Sequence, residues 1–361
     1  MREKIGPSLI IGIAGTSLTA AESEFLVREN IGGIILFKRN FESPEQLREL
    51  CDELQSLSKR TPDKQPFFVS VDQEGGRVAR FRKPFTEWPP MAALGKIDSP
   101  TVAFKVAQAI GAELRAVGVN MNFAPSIDIF TNPANTVIGD RAVSTDAETV
   151  AKLGSALVRG YIKADIIPVA KHFPGHGNTL IDSHEELPVE NRTREELDAR
   201  EWEPFKRVFR ARLDIVMSAH IKFPNIDPEW PATLSEIFLK DILRTQLRYR
   251  GLAITDDLDM KALTKHHTKA AIAVRAIQAG ANILLYCNEP DSPPIALDAI
   301  EKAVRDKQIP LQTILDNQNL ILQLKRDALK EPAPEWSTAQ ALIGCEEHQT
   351  LAAAVAAGTA T

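Results

Sequence analysis

Apolar residues in this chain gather in short, near-continuous runs with polar stretches between them. Eight such runs stand out: Leu9–Ala14, Gly33–Phe37, Phe67–Val71, Asn120–Pro125, Ile166–Ala170, Asp214–Ala219, Leu252–Thr255 and Asn282–Tyr286. They do not alternate apolar with polar, so they read as strands buried on both faces, as parallel strands covered by helices are. Helix starts fall between them. Ser43-Pro44-Glu45-Gln46 offers a capping serine followed by proline, and Ser99-Pro100 and Ser292-Pro293 repeat that signal. Thr145 to Glu148, Thr193 to Glu196 and Thr233 to Glu236 have capping-box spacing. Eight strands alternating with helices predict an α/β fold, either a closed (β/α)8 barrel or an open doubly wound sheet. The count and the chain length favour the barrel. The first strand-to-helix turn, Gly12 to Ser17, also lacks the full Gly-x-Gly-x-x-Gly fingerprint of a dinucleotide-binding sheet. The expectation is a single-domain TIM-like barrel over residues 1–330 and a short Pro- and Ala-rich C-terminal extension, 331–361, partly mobile and without chemistry.

Composition narrows the class without changing the fold. The 361 residues are 44% hydrophobic and 25% charged with net charge −5, ordinary for a globular protein. With no basic block, nucleic acid is not an expected partner. Cys51, Cys287 and Cys345 lie far apart with no metal-type spacing, which suits a reducing compartment and a cytoplasmic location. The start, Met1 to Gly15, faintly resembles a signal peptide, but its apolar run is short and Glu3 interrupts the basic part. The same run makes a good buried first strand. No segment approaches the roughly 20 apolar residues of a membrane span.

Candidate chemistry follows the strands. Lys171 to His184, KHFPGHGNTLIDSH, holds three of the seven histidines and leaves the fifth run. The third run ends in Asp72-Gln73-Glu74-Gly75-Gly76-Arg77, with Arg80 just beyond. The fourth leads to Asp128 and a long loop carrying Asp140-Arg141, the sixth ends in His220, and the seventh in Asp256-Asp257. In a barrel these exits share one mouth, and functional groups gather there. Blander readings apply to several residues. Gly75 and Gly76 serve a turn; Glu74 and Arg77 form a structural ion pair or contact substrate; His220 is a core histidine bonded to backbone; His266 and His267 are solvated; Asp257 orients a neighbour. Asp72, Asp256 and the Asp182/His184 pair are harder to dismiss, because a carboxylate at a barrel mouth needs a partner or a function.

Two chemistries fit these residues. A metal-dependent hydrolase would take ligands from His172, His176, Asp182 and His184. Glycoside hydrolysis needs a nucleophile and a proton donor roughly 5–5.5 Å apart for retention. Asp256 suits the first role and His184 the second, since a free imidazole titrates near pH ~6.5. Asp182 would then set the tautomer of that imidazole. A non-catalytic sugar-binding barrel is the third reading.

The motifs Val71-Asp72-Gln73-Glu74-Gly75-Gly76-Arg77-Val78, Lys171-His172-Phe173-Pro174-Gly175-His176-Gly177 with Asp182-Ser183-His184, and Thr255-Asp256-Asp257-Leu258 closely resemble glycoside hydrolase family 3. The likeness is to its single-domain β-N-acetylhexosaminidase version from bacterial peptidoglycan recycling and runs from about Ser8 to about Lys330. It implies a (β/α)8 barrel and a covalent glycosyl-enzyme on Asp256. It implies acid/base work by His184, paired with Asp182 on a mobile loop hinged at Gly175 and Gly177. Asp72, Arg80, Arg141, Lys171 and His172 match the positions that bind sugar hydroxyls. No metal or other cofactor is implied. The implied substrate is N-acetylglucosamine on anhydro-N-acetylmuramic acid, a muropeptide fragment, handled by a monomer. Two-domain relatives take their acid/base from a second domain, for which this chain leaves no room after the barrel. Asn178 and Asp259 depart from common choices, on the leaving-group side. A histidine donor also leaves less negative charge near an incoming phosphate, so a phosphorylase variant stays open.

Overall fold

The structure, a computed structural model, describes residues 1–361 except Ile181 and His184. Eight parallel strands close into a barrel: β1 Leu9–Gly12, β2 Gly33–Leu36, β3 Phe68–Val71, β4 Met121–Asn122, β5 Ile167–Phe173, β6 Ile215–Ser218, β7 Leu252–Asp257 and β8 Ile283–Tyr286. Each pairs with its neighbours in sequence, and β8 closes on β1 through Ile10 opposite Leu285. Every predicted run contributes one strand.

Burial explains why the runs are continuous. Ile10, Ile35, Phe68, Met121, Val169, Met217, Ile254 and Leu285 fill the barrel interior. Their neighbours in sequence, among them Ile11, Ile34, Val69, Val216, Ala253 and Leu284, turn outward against the helices. Both faces are thus apolar, each buried aliphatic side chain being worth roughly 1.5–3 kcal/mol.

Two strands run further than the apolar pattern. β5 continues through Lys171, His172 and Phe173, and β7 through Asp256 and Asp257, so the key polar groups sit on strand ends rather than in loops. β4 is shorter than its run. There the Asn120 side chain replaces ladder bonds, accepting from Val69 N and donating to Phe67 O. Beyond β3, Gln73–Gly75 and Val78–Ala79 form a small antiparallel hairpin turned by Gly75 (φ +116°) and Gly76 (φ +56°), the turn role expected of both.

Helix starts match in part. Ser43, Ser99 and Thr193 cap as expected, each accepting from a backbone N–H three residues on. At the fourth loop the cap is Asp146 rather than Thr145, because its carboxylate reaches Thr149 N at 2.8 Å. Thr233 caps nothing: it is buried against His220, and the next helix begins at Ile237. Ser292 is the first helical residue, and its hydroxyl donates to Asp259 at 2.6 Å.

The helix Leu311–Ala328 closes the bottom of the barrel, with Ile321 and Leu324 packed against the interior cluster. Lys325 on it donates to Gly32 O at 2.7 Å and lies over the Phe68 ring at 4.9 Å. The extension is docked. Arg115 and Arg48 donate to carbonyls of Glu331, Pro332 and Pro334. His348, on the helix Glu346–Ala357, bonds Glu113 Oε1 at 2.8 Å. Among the described residues no helix is long and apolar enough to cross a membrane.

Candidate active site

The mouth is organised around a buried lysine. Lys171, 3% exposed in its side chain, donates to Asp72 Oδ1 at 2.7 Å and to Glu74 Oε1 at 2.6 Å. Arg80 Nη2 reaches the other Asp72 oxygen at 3.2 Å. Arg141 takes Glu74 with two parallel bonds, Nη2 to Oε1 at 2.8 Å and Nε to Oε2 at 3.0 Å. Burial alone would raise both carboxyl pKa values. Arg141 and Lys171 at Glu74, and Lys171 and Arg80 at Asp72, outweigh it and hold both below the usual range. Arg80 Nε is buried and meets no acceptor among the described residues. The expected Glu74–Arg77 pair is corrected. Arg77 instead turns outward to the carbonyls of Thr136, Val137 and Ile138, because Glu74 is already committed to Arg141 and Lys171.

Asp128 orders the histidines beside this network. Its Oδ2 lies 2.7 Å from His172 Nδ1, and its Oδ1 accepts from His176 N at 2.7 Å. Against its complete burial, His172 and His176 hold this carboxyl well below the usual range. The pairing fixes the imidazole of His172 as the triad carboxylate does in serine hydrolases. It leaves Nε2 facing Arg141 at 3.5 Å. Burial pushes His176 down to about 4.

At the end of β7, Asp256 Oδ1 accepts from the next peptide N–H at 2.8 Å. Burial opposes its ionisation. His220, His172, that N–H and Lys171 together prevail, and its pKa lies below the usual value. Asp257 ties strand ends together, accepting from Asp259 N at 3.1 Å and Cys287 N at 3.2 Å. Burial, with Asp259 and Asp256 adding to it, pushes this carboxyl up to about 7 despite those donors. His220 bonds backbone as expected of a core histidine, Nε2 donating to Asp257 O at 2.9 Å, yet it also faces Asp256. His266 is exposed as expected. His267 is half-buried and packs on Trp230 with ring centroids 5.1 Å apart.

The start of the loop after β5 packs on the loop after β4, where Thr131, Asn132 and Asn135 donate to its carbonyls. Gly175 takes φ +128°, as a bend needs. Gly177 is not a free hinge: a Cβ there would lie 1.7 Å from Ile129 O, and its carbonyl accepts from Thr131 N and Asn132 N. The Asp182 carbonyl accepts from the N–H groups of Glu185 and Glu186. Ser183 O accepts from Ala262 N at 3.3 Å, and Glu185 pairs with Lys261 at 2.9 Å, so this loop meets the segment that follows β7. His184, the expected proton donor, lies outside the described residues.

Asp72, Arg80, Arg141, Lys171 and His172 are therefore joined in one network, with Asp256 beside it. Of the nitrogens the metal alternative would use, both of His176 face hydroxyls, Thr179 at 2.8 Å and Ser183 at 3.3 Å, while His172 has Nδ1 on Asp128 and Nε2 3.5 Å from Arg141; among the described residues no three His, Cys, Asp or Glu side chains are grouped as a metal site. The sequence marks Asp128 at the fourth strand exit but gives it no role. The signal was present, a lone carboxylate three residues past an apolar run, but only the fold shows what it holds.

A parallel barrel whose mouth gathers buried, paired carboxylates and cations from five strand exits offers both acceptors and donors to a polar ligand at the place where such barrels carry their active sites. Residues 1–324 match the glycosyl hydrolase family 3 N-terminal domain. A β-hexosaminidase of Nitrosomonas eutropha is 41% identical over 303 residues, covering 82% of this chain and 85% of its own. Another, from Idiomarina loihiensis, is 37% identical over 335 residues, covering 91% and 99%. Among solved structures, a family 3 β-N-acetylglucosaminidase from a Paenibacillus species superposes with TM-score 0.94 at 37% identity, over 99% of this chain and 68% of that one. NagZ from Neisseria gonorrhoeae, in complex with N-trifluoroacetyl-D-glucosamine, gives TM-score 0.78 at 35% identity over 98% of both chains. The chain belongs to glycoside hydrolase family 3, on the side of its β-hexosaminidases.

Proposed function

We propose that this enzyme is a retaining exo-β-N-acetylglucosaminidase that removes terminal β-linked N-acetylglucosamine from muropeptides in peptidoglycan recycling. It would do so in the cytoplasm and as a monomer. Residues 1–330 form the catalytic barrel, and 331–361 an extension braced on its side. Asp256 attacks the anomeric carbon and forms a covalent glycosyl-enzyme. His184, its tautomer set by Asp182, protonates the leaving oxygen and then takes a proton from the incoming water. Asp72 accepts from sugar hydroxyls while Arg80, Arg141, Lys171 and His172 donate to them, which penalises a sugar lacking the matching group. No metal enters these steps.

The observation that carries this reading is the meeting of two strand exits. A carboxylate kept ionised ends β7, and the residues flanking position 184 in sequence, Ser183 and Glu185, bond Ala262 and Lys261 just beyond it. The test is hydrolysis of aryl N-acetylglucosaminide against aryl glucoside, with the first-formed anomer followed by proton NMR. The β-anomer of N-acetylglucosamine should appear first. Asp256→Ala should lose activity on the order of 10⁴-fold. His184→Ala should lose roughly 10²–10⁴-fold on alkyl or disaccharide substrates and far less on an activated aryl glycoside. Equal losses on both substrate types, or first appearance of the α-anomer, would refute it.

A further inference from the structure

The structure points to a second use of the fifth strand's motif: we infer that His176, through Ser183, is the positioning residue that holds the acid/base loop in its working place. This rests on the reading that Asp182 and His184 supply the proton. His176 is 2% exposed and Ser183 3%. His176 is itself tied on three sides. Its backbone N–H donates to Asp128 Oδ1 at 2.7 Å, and its Nδ1 lies 2.8 Å from Thr179 Oγ1. Asn135 Nδ2 donates to the His176 carbonyl at 2.8 Å. The remaining nitrogen, Nε2, lies 3.3 Å from Ser183 Oγ. Ser183 is held from the other side by Ala262, whose N–H donates to its carbonyl at 3.3 Å. Ser183 thus spans from the floor of the β5 exit to the segment after β7, and the proposed dyad residues are its two neighbours in sequence. Neutral imidazole suits this task, offering one donor and one acceptor to two hydroxyls.

A second fastening lies further out. Glu185 pairs with Lys261 at 2.9 Å, and Glu186 with Lys265 at 2.7 Å and His266 at 3.2 Å. The Glu185–Lys261 pair is 70% and 55% exposed. Exposed pairs contribute a factor of roughly five at most and are screened by salt. The buried contact is the one that sets geometry, because misplacing a reacting group by an ångström can lose on the order of 10²-fold in rate.

The experiment compares kcat on 2,4-dinitrophenyl N-acetylglucosaminide, which needs little protonation, with kcat on chitobiose, which needs full protonation. It uses wild type, Ser183→Ala, Ser183→Thr, His176→Gln and His184→Ala, with thermal midpoints recorded for each. Ser183→Ala should stay within about twofold on the aryl substrate and fall about tenfold on the disaccharide, a fraction of what general acid catalysis supplies. Ser183→Thr, which keeps the hydroxyl, should recover most of that loss. Lys261→Met/Lys265→Met should change either rate less than Ser183→Ala changes the disaccharide rate. If His184→Ala shows the leaving-group dependence while Ser183→Ala matches wild type on both substrates, the positioning role is overturned and the acid/base reading stands. If Ser183→Ala loses equally on both and its midpoint falls, the contact is only structural and the inference is again overturned. If His184→Ala itself shows no leaving-group dependence, the acid/base reading fails, and the positioning role fails with it.

Discussion

Replacing Lys171 by methionine tests whether the buried charges at the mouth act as one unit. Methionine keeps the stem and removes the ammonium. Glu74, 2% exposed in its side chain, keeps its two bonds from Arg141, but Asp72 keeps only Arg80 at 3.2 Å. Removing one partner of a buried ion pair costs about 3–5 kcal/mol. Because Arg141 and Arg80 still compensate both carboxylates, the low end applies, about 3 kcal/mol. The pH dependence has a definite sign. Asp72 and Glu74 have folded pKa values below their unfolded ones, so their contribution is fully present above pH ~4 and is lost as pH falls through the folded values. Lys171 has its own pKa raised, so its contribution is fully present below pH ~10.4 and is lost only at more alkaline pH. The gap between wild type and variant should therefore be flat from about pH 5 to 10 and narrow below about pH 4. Guanidinium unfolding followed by tryptophan fluorescence across pH 3 to 9 measures it. The loss of a charged donor to a sugar hydroxyl should also lower kcat/KM by roughly 10- to 100-fold, that is about 1.5–3 kcal/mol. A stability loss under about 1 kcal/mol at pH 7, or a gap unchanged at pH 3, would refute the coupling.

Three further perturbations probe other parts of the same architecture. Asp128→Asn should free the His172 ring and turn an amide N–H toward buried donors, lowering kcat/KM on an aryl N-acetylglucosaminide about 10- to 100-fold and lowering the thermal midpoint with it. His176, pushed down to about 4 in the folded protein, resists the proton that the unfolded chain takes near pH ~6.5. Stability should therefore fall between pH ~6.5 and 4 by up to ~3 kcal/mol, and His176→Gln should flatten that slope in urea titrations over this range. Burial pushes Lys325 down to about 7, against an opposing effect of Asp63. The unfolded chain holds that proton up to pH ~10.4, so stability should rise from pH 7 to 10 in wild type and not in Lys325→Met. Identical slopes in the two proteins would place the ammonium in contact with water.

The sequence by itself determined the barrel. Runs such as Phe67–Val71 and Ile166–Ala170 have no polar side, so they need cover on both faces, and eight of them alternating with capped helices leave few other solutions. It also showed which strand ends carry charge, because Lys171, His172 and Asp256 interrupt or end apolar runs where nothing but function or pairing keeps them. What only the tertiary structure decided is which of these groups meet. Glu74 takes Arg141, 67 residues away, rather than nearby Arg77. Thr233, spaced like a helix cap, is spent on His220 and the Ala219 carbonyl. Asp128 holds His172 from the loop after the neighbouring strand, and Gly177 is forced by the Ile129 carbonyl rather than by a hinge. Periodicity and capping act over one to a few turns of chain, so they can be read locally. Ion pairs and orphaned carbonyls are satisfied across strands, by whichever partner the closed barrel brings within about 3 Å.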